Sequence, residues 1–150
     1  MMNGVSVTLG VKVHHVKYIK KHGYLKDGRQ ITRKDPMGIA LQALLVPKDK
    51  GGRPLNNFNQ PTIDISLGGE THLQYRCELP DANLKGFMMF VDDLIDKEFC
   101  TIARSYQKLE KGIDEAIDYF QDEYDFTDDE VSVDRLRKAY FRWRVKRGLL

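Results

Sequence analysis

Seven basic side chains near the C-terminus form the densest grouping in the chain that could recognise a ligand: Arg135, Arg137, Lys138, Arg142, Arg144, Lys146 and Arg147. Asp134 is the one acid among them. Arginine offers a planar fork of N–H donors that matches phosphate oxygens and the edge of guanine, and lysine adds a mobile point charge. The chemistry implied is recognition of a polyanion, with no bond made or broken. Leu136, Ala139, Tyr140 and Trp143 recur through the same run at spacings of three and four, so a helix must carry the bases on its outer side.

The preceding run has the opposite charge. Glu110, Asp114, Glu115, Asp118, Asp122, Glu123, Asp125, Asp128, Asp129 and Glu130 face only Lys111. Ile113, Ala116, Ile117, Phe120 and Tyr124 give this run a helical period too. Thr127 with Glu130 is a capping box, and Ser132 is a second candidate cap for the final helix. A helix, a short acidic turn and a basic helix together resemble the last two members of a helix-turn-helix unit. That resemblance implies a basic helix lying in the major groove of DNA. The competing expectation is internal: the acidic helix neutralises the basic one in a salt-bridged pair.

A second basic stretch lies at the other end, with Lys12, Lys17, Lys20, Lys21, Lys26, Arg29, Arg33 and Lys34 against Asp27. His14, His15 and His22 add charge there at lower pH. Val5, Val7, Leu9, Val11 and Val13 alternate with polar or small residues, which predicts a strand. A short helix over 14–22 follows, with Gly23 placed to end it. Thr32 and Asp35 form an imperfect capping box, Pro36 suits a first helical turn, and an apolar helix over 37–46 runs to Pro47. This order resembles a ribbon-helix-helix domain. The resemblance implies that two chains pair their strands and lay Ser6, Thr8 and Lys12 in the groove. Thr32, Arg33 and Lys34 would then hold a phosphate at the start of the second helix. The long loop after Gly23 departs from that pattern.

The middle of the chain supplies the scaffold. Residues 48–60 read as a loop. Ile63, Ile65 and Leu67 alternate as a strand, Gly68 and Gly69 provide a turn, and Leu73, Tyr75, Cys77 and Leu79 alternate back. Leu84, Phe87, Met88, Val91, Leu94, Ile95, Phe99, Ile102, Ala103, Tyr106 and Leu109 mark the longest helix, with a break at Gly112. The expected fold is α+β: a small antiparallel β element, one long core helix and a C-terminal helical pair. Its segments are 1–47, 48–60 and 61–150, in one compact domain.

No residue set matches a catalytic pattern. Asp92, Asp93, Asp96 and Glu98 point to different sides of their helix and read as solvated. Asp125, Asp128, Asp129 and Glu130 lack EF-hand spacing and read as helix caps. Adjacent His14 and His15 cannot share a helical face as zinc ligands do. Lys50-Gly51-Gly52-Arg53 lacks the strand before and the lysine after that make a phosphate loop. Cys77 and Cys100 read as buried free thiols. With 150 residues, 41% hydrophobic, 31% charged and a net charge of +2, the chain has the balance of a folded protein. The start lacks a signal-peptide pattern and no run is long enough to span a membrane, so a cytoplasmic place in a bacterial or viral setting is expected. The expectation is a non-enzymatic DNA-binding protein, regulatory or accessory, of a phage or mobile element. It takes no cofactor or metal, and its partners are DNA and, in a homo-oligomer, other copies of itself. The alternative is a structural or interaction protein of such an element, in which the helix at 113–124 and the stripe at 84–109 meet a protein partner.

Overall fold

A computed structural model describes residues 5–25, 31–32, 34–44, 61–67 and 81–149. In chain order these form β1 (Val5–Gly10), α1 (Val13–Lys21), α2 (Pro36–Leu44), β2 (Thr62–Leu67), α3 (Asp81–Lys108), α4 (Ile113–Tyr124) and α5 (Val133–Lys146). The fold is α+β, with one small sheet and one long core helix. Two compact units divide it, residues 1–91 and 92–150, so the boundary falls inside α3. Several expected features lie outside the described residues: the turn at Asp27 and Gly28, Arg33, the loop 48–60, the Gly68-Gly69 turn, and the returning strand at 73–79 with Cys77.

In the first unit β1 and β2 pair antiparallel from Val5 opposite Leu67 to Gly10 opposite Thr62. Leu9, Ile63 and Ile65 are buried, as alternation requires of one covered face. The predicted strand runs to Val13, but β1 stops at Gly10. The backbone N–H of Lys12 donates to His15 Nδ1 at 3.2 Å, so the histidine caps α1 and draws the chain out of the strand. Val11 still donates to the Pro61 carbonyl at 2.9 Å and is fully buried.

The ends of the helices follow from local hydrogen bonding. Gly23 takes a positive φ of 79° after α1. Its N–H donates to the Lys20 carbonyl and that of Tyr24 to Ile19, the paired pattern that satisfies the last carbonyls of a helix. Helix α2 starts at Pro36, and its cap is Asp35 rather than the expected Thr32. Asp35 Oδ1 accepts from the Met37 N–H at 3.0 Å and from the Tyr24 hydroxyl at 2.9 Å. Thr32 instead brings its carbonyl against α2. A Cβ at Gly38 would lie 2.0 Å from that oxygen, so only glycine fits.

Helix α3 ends in the same paired pattern as α1. The N–H of Glu110 donates to Gln107 and that of Lys111 to Tyr106, with Glu110 at φ 62°. The left-handed residue is therefore Glu110, while Gly112, the expected breaker, stands in front of α4 as its N-cap. Phe87, Val91, Ile95 and Phe99 are fully buried along α3, while Ile102 and Tyr106 are only half-buried. In the second unit Phe99 meets Phe120 with ring centres 5.4 Å apart, and Phe120 in turn meets Tyr124 and Phe126. Polar anchors finish the packing. The Tyr124 hydroxyl donates to Glu98 and the Tyr140 hydroxyl to Gln107, each at 2.5 Å.

Two substitutions test these assignments by denaturant unfolding. Phe99→Ala removes the ring from a full core and is expected to cost about 3–5 kcal/mol. Glu110→Gly is expected to add about 0.5–1 kcal/mol, because a side chain in the left-handed region costs more than glycine's extra freedom when unfolded. A neutral Phe99→Ala or a destabilising Glu110→Gly contradicts the respective assignment.

Candidate nucleic-acid interface

Helix α5 lies within the second unit and begins with a well-formed cap. Ser132 Oγ accepts from the Arg135 N–H at 3.0 Å. Half of the expected capping box at Thr127 and Glu130 exists one turn earlier: Glu130 Oε1 accepts from the Thr127 N–H at 3.2 Å and from its hydroxyl at 2.9 Å, while the Glu130 N–H donates to the Thr127 carbonyl. Asp128 Oδ1 accepts from the Val133 N–H at 2.8 Å. The acids of this connection thus cap helical turns. The connection spans 125–132 and contains a turn of its own, so it is longer than the roughly 3–4-residue turn of a helix-turn-helix unit.

The seven bases of the C-terminal run separate into two groups. Arg135 is held on α3, its Nη2 at 3.3 Å from Asp92 Oδ1 and its Nε at 3.2 Å from Asp96 Oδ1. Arg137 meets Asp114 of α4 at 2.5 Å, and Lys138 meets Asp134 one turn back at 2.9 Å. Arg142, Arg144, Lys146 and Arg147 meet no carboxylate within salt-bridge distance among the described residues. Two of these four rest on aromatic faces instead. The Arg144 guanidinium lies 4.8 Å from the centre of the Tyr140 ring, and that of Arg147 4.5 Å from Trp143. Stacking of this kind holds the guanidinium in place while leaving its in-plane donors available. The Nε of Arg144 is buried without a hydrogen-bond partner among the described residues.

The unpaired bases occupy two sides of α5. Arg142, Lys146 and Arg147 border a groove of about 670 Å³ between α3 and α5, with Cys100 and Trp143 on its apolar lining. Its two carboxylates are already matched, Asp96 by Arg135 and Asp93 by Lys97 at 2.8 Å. Arg144 belongs to the other side, toward α4. Burial pushes the Cys100 thiol up to about 12, with Asp96 adding to the shift and Arg147 opposing it. Cys100 is therefore a protonated thiol at neutral pH and a poor nucleophile.

The N-terminal candidates are placed differently from expectation. Lys12 is exposed but stands at the N-cap of α1 and is not a strand residue. Lys34 is exposed, its N–H donating to Thr32 Oγ1 at 3.3 Å, in the turn before α2. Pro36 has no N–H and the Met37 N–H belongs to Asp35, so the start of α2 presents a carboxylate where a phosphate was expected. His14 and His15 are buried and add nothing to an exposed basic face. One edge of β1 is occupied by β2, so a ribbon formed with a second chain would have to use the other edge.

Sequence reasoning missed the role of the acidic run on α3. Asp92 and Asp96, read as solvated, grip Arg135, and Glu98 accepts from Tyr124. Their spacing was the available signal: residues four apart lie on one helical face and can share one guanidinium. Burial raises the Asp96 carboxyl above its ordinary value, and Arg135 counters this only in part. Comparison with known proteins adds no relative: no family model, curated protein or solved structure matches the chain.

The Arg135 clamp gives a pH test. Without the guanidinium, Asp96 would be an uncompensated, partly buried charge. Arg135→Ala is expected to cost about 1–2 kcal/mol near neutral pH, discounted from a fully buried pair because both partners remain partly exposed. A raised acid pKa means that the native state holds the extra proton, so the cost should shrink as pH falls through the Asp96 titration. Urea unfolding at pH 7 and near pH 4 measures it; an equal loss at both would remove the electrostatic explanation. Arg137→Ala, at an exposed pair, is expected to leave the midpoint where it is.

Proposed function

We propose that this protein binds DNA as a non-enzymatic regulatory or accessory component in the cytoplasm, using the C-terminal half of α5. The observation that carries the reading is the division of the basic helix. Arg135, Arg137 and Lys138 spend their charge on Asp92, Asp96, Asp114 and Asp134, whereas Arg142, Arg144, Lys146 and Arg147 have no acid to meet among the described residues. Internal neutralisation accounts for the first half of the helix and leaves the second half unexplained. A row of unmatched cations beside an aromatic ring suits phosphate oxygens, and counterion release would drive the association. Arg142, Lys146 and Arg147, around one groove, are the residues assigned to the phosphate backbone. Base-edge readout through the first turns of α5 has less support, because Arg135 and Arg137 are engaged within the chain.

The test is a salt series of binding to duplex DNA of mixed sequence, followed by fluorescence anisotropy. The log of affinity should fall linearly with the log of salt concentration. In Arg142→Ala, Lys146→Ala and Arg147→Ala the slope should become shallower by roughly 0.9 for each phosphate that is no longer neutralised. Arg137→Ala serves as a paired control with little change. Absence of binding at about 50 mM salt, or slopes unaltered by the three variants, overturns the proposal.

A further inference from the structure

Helix α5 carries a second unpartnered surface, on the side away from the α3 groove. Phe141 and Val145 are 54% and 51% exposed, and Leu149 beyond the helix end is 38% exposed. Their spacing of four residues makes one apolar stripe along the helix. Phe141 lies in a shallow depression of about 480 Å³ with Ile113, Arg137, Lys138, Arg142 and Arg144. The surface is thus an apolar strip edged by bases on both sides. Scattered apolar residues are common on surfaces, but an aromatic and an aliphatic residue aligned in a basic frame resemble the centre and rim of an interface.

Helix α4 of the same unit has the complementary charge. Between Ile113 and Tyr124 it contains Asp114, Glu115, Asp118, Asp122 and Glu123 and no base. Asp114 of this helix pairs with Arg137 of α5. Glu115, Asp118 and Asp122 are exposed and meet no base among the described residues. The unit therefore displays an acidic helix face and a basic, apolar-centred helix face on neighbouring helices. In a two-fold pair each copy presents both faces at once, and every contact is made twice.

We propose that a second copy of this chain covers this surface. The two chains form a closed dimer in which Phe141 and Val145 of both copies meet near the two-fold axis. Arg144 of each copy faces Asp118 and Asp122 of the other. Like-charged α5 helices would repel if they met alone, and the partner's α4 acids offset that repulsion. The pairing uses the opposite side of α5 from Lys146 and Arg147, and Arg142 alone borders both surfaces.

Sedimentation equilibrium of the full chain at tens of micromolar tests this. The expected mass is twice the 17.4 kDa of one chain. Association should weaken on going from about 0.1 to 1 M salt, where the screening length shrinks from ~10 to ~3 Å. Two variants, one placing charge in the apolar strip and one reversing charge on α4, locate the interface. Phe141→Glu with Val145→Glu, and Asp118→Lys with Asp122→Lys, should each be monomeric, with the circular dichroism of the parent showing that the fold is kept. A monomeric parent, a dimer that survives in both variants, or growth into open chains beyond the dimer each overturns the proposal.

Discussion

The arrangement of the second unit depends on how one guanidinium is satisfied. Arg135 lies about one turn into α5 and reaches back to Asp92 and Asp96, one turn apart on α3. Taking these charges from water is costly, which shows in the raised carboxyl of Asp96, so the clamp is a modest source of stability. Its effect is on register. The fork of donors is satisfied only at one rotation and one height of α5, and that rotation turns Leu136 and Tyr140 inward. Packing supplies the driving force: Phe99, Phe120, Tyr124 and Phe126 form a continuous aromatic cluster whose burial outweighs any single ion pair. With α5 so oriented, Phe141 and Val145 are left in solvent, and the bases of its last two turns are carried past the reach of the α3 acids.

Charge and conformation are linked again at the helix ends. Helices α3 and α4 both finish with an acidic residue in the left-handed region, Glu110 at φ 62° and Asp125 at 56°. Glycine would be the easier choice at either place. Aspartate tolerates that conformation better than most residues, whereas glutamate has no comparable local hydrogen bond to offer. The strain is offset by the paired hydrogen bonds that follow, Lys111 to Tyr106 and Phe126 to Gln121. The second reversal also places Gln121 where its amide donates to the Val131 carbonyl at 3.0 Å.

What was legible in the sequence follows the strength of the local signals. The α3 stripe from Leu84 to Ala103, the periodic apolar residues of α4 and α5, Gly23 as a helix end and Ser132 as a cap all depend on spacing or on one residue's chemistry, and they stand where expected, whereas Leu109 lies past the helix end and is exposed. The boundaries that moved were decided by competition at a distance. Lys12 left its strand because His15, three residues on, captures its N–H. Asp35 displaced Thr32 as a cap because it also accepts from Tyr24, eleven residues away. The basic run was legible as a group, but its division was not. Whether Arg135 or Arg147 has a partner depends on which acids of α3 and α4 come within reach, and no spacing inside the run reports that. The acids at 92 and 96 looked solvated because their helix was judged alone, without the guanidinium that another helix brings to it.

The near-neutral total charge gains a physical meaning once the ion pairs are assigned. A chain of net +2 could match its charges within itself, and a part of this one does. Yet Asp118 and Asp122 stay exposed on α4 while Arg142, Arg144, Lys146 and Arg147 stay unmatched on α5, the adjacent helix. The obstacle is geometric. Residues on a helix are fixed to faces, and the rotation that satisfies Arg135 and buries Leu136 and Tyr140 leaves Arg144 on the α4 side with no carboxylate within salt-bridge distance among the described residues. Packing outweighs exposed ion pairs, each worth at most about 1 kcal/mol, so the fold accepts the mismatch. Separated charge of both signs on neighbouring faces costs little in a monomer, and the proposed DNA contact and the proposed dimer contact each draw on one of these unmatched faces.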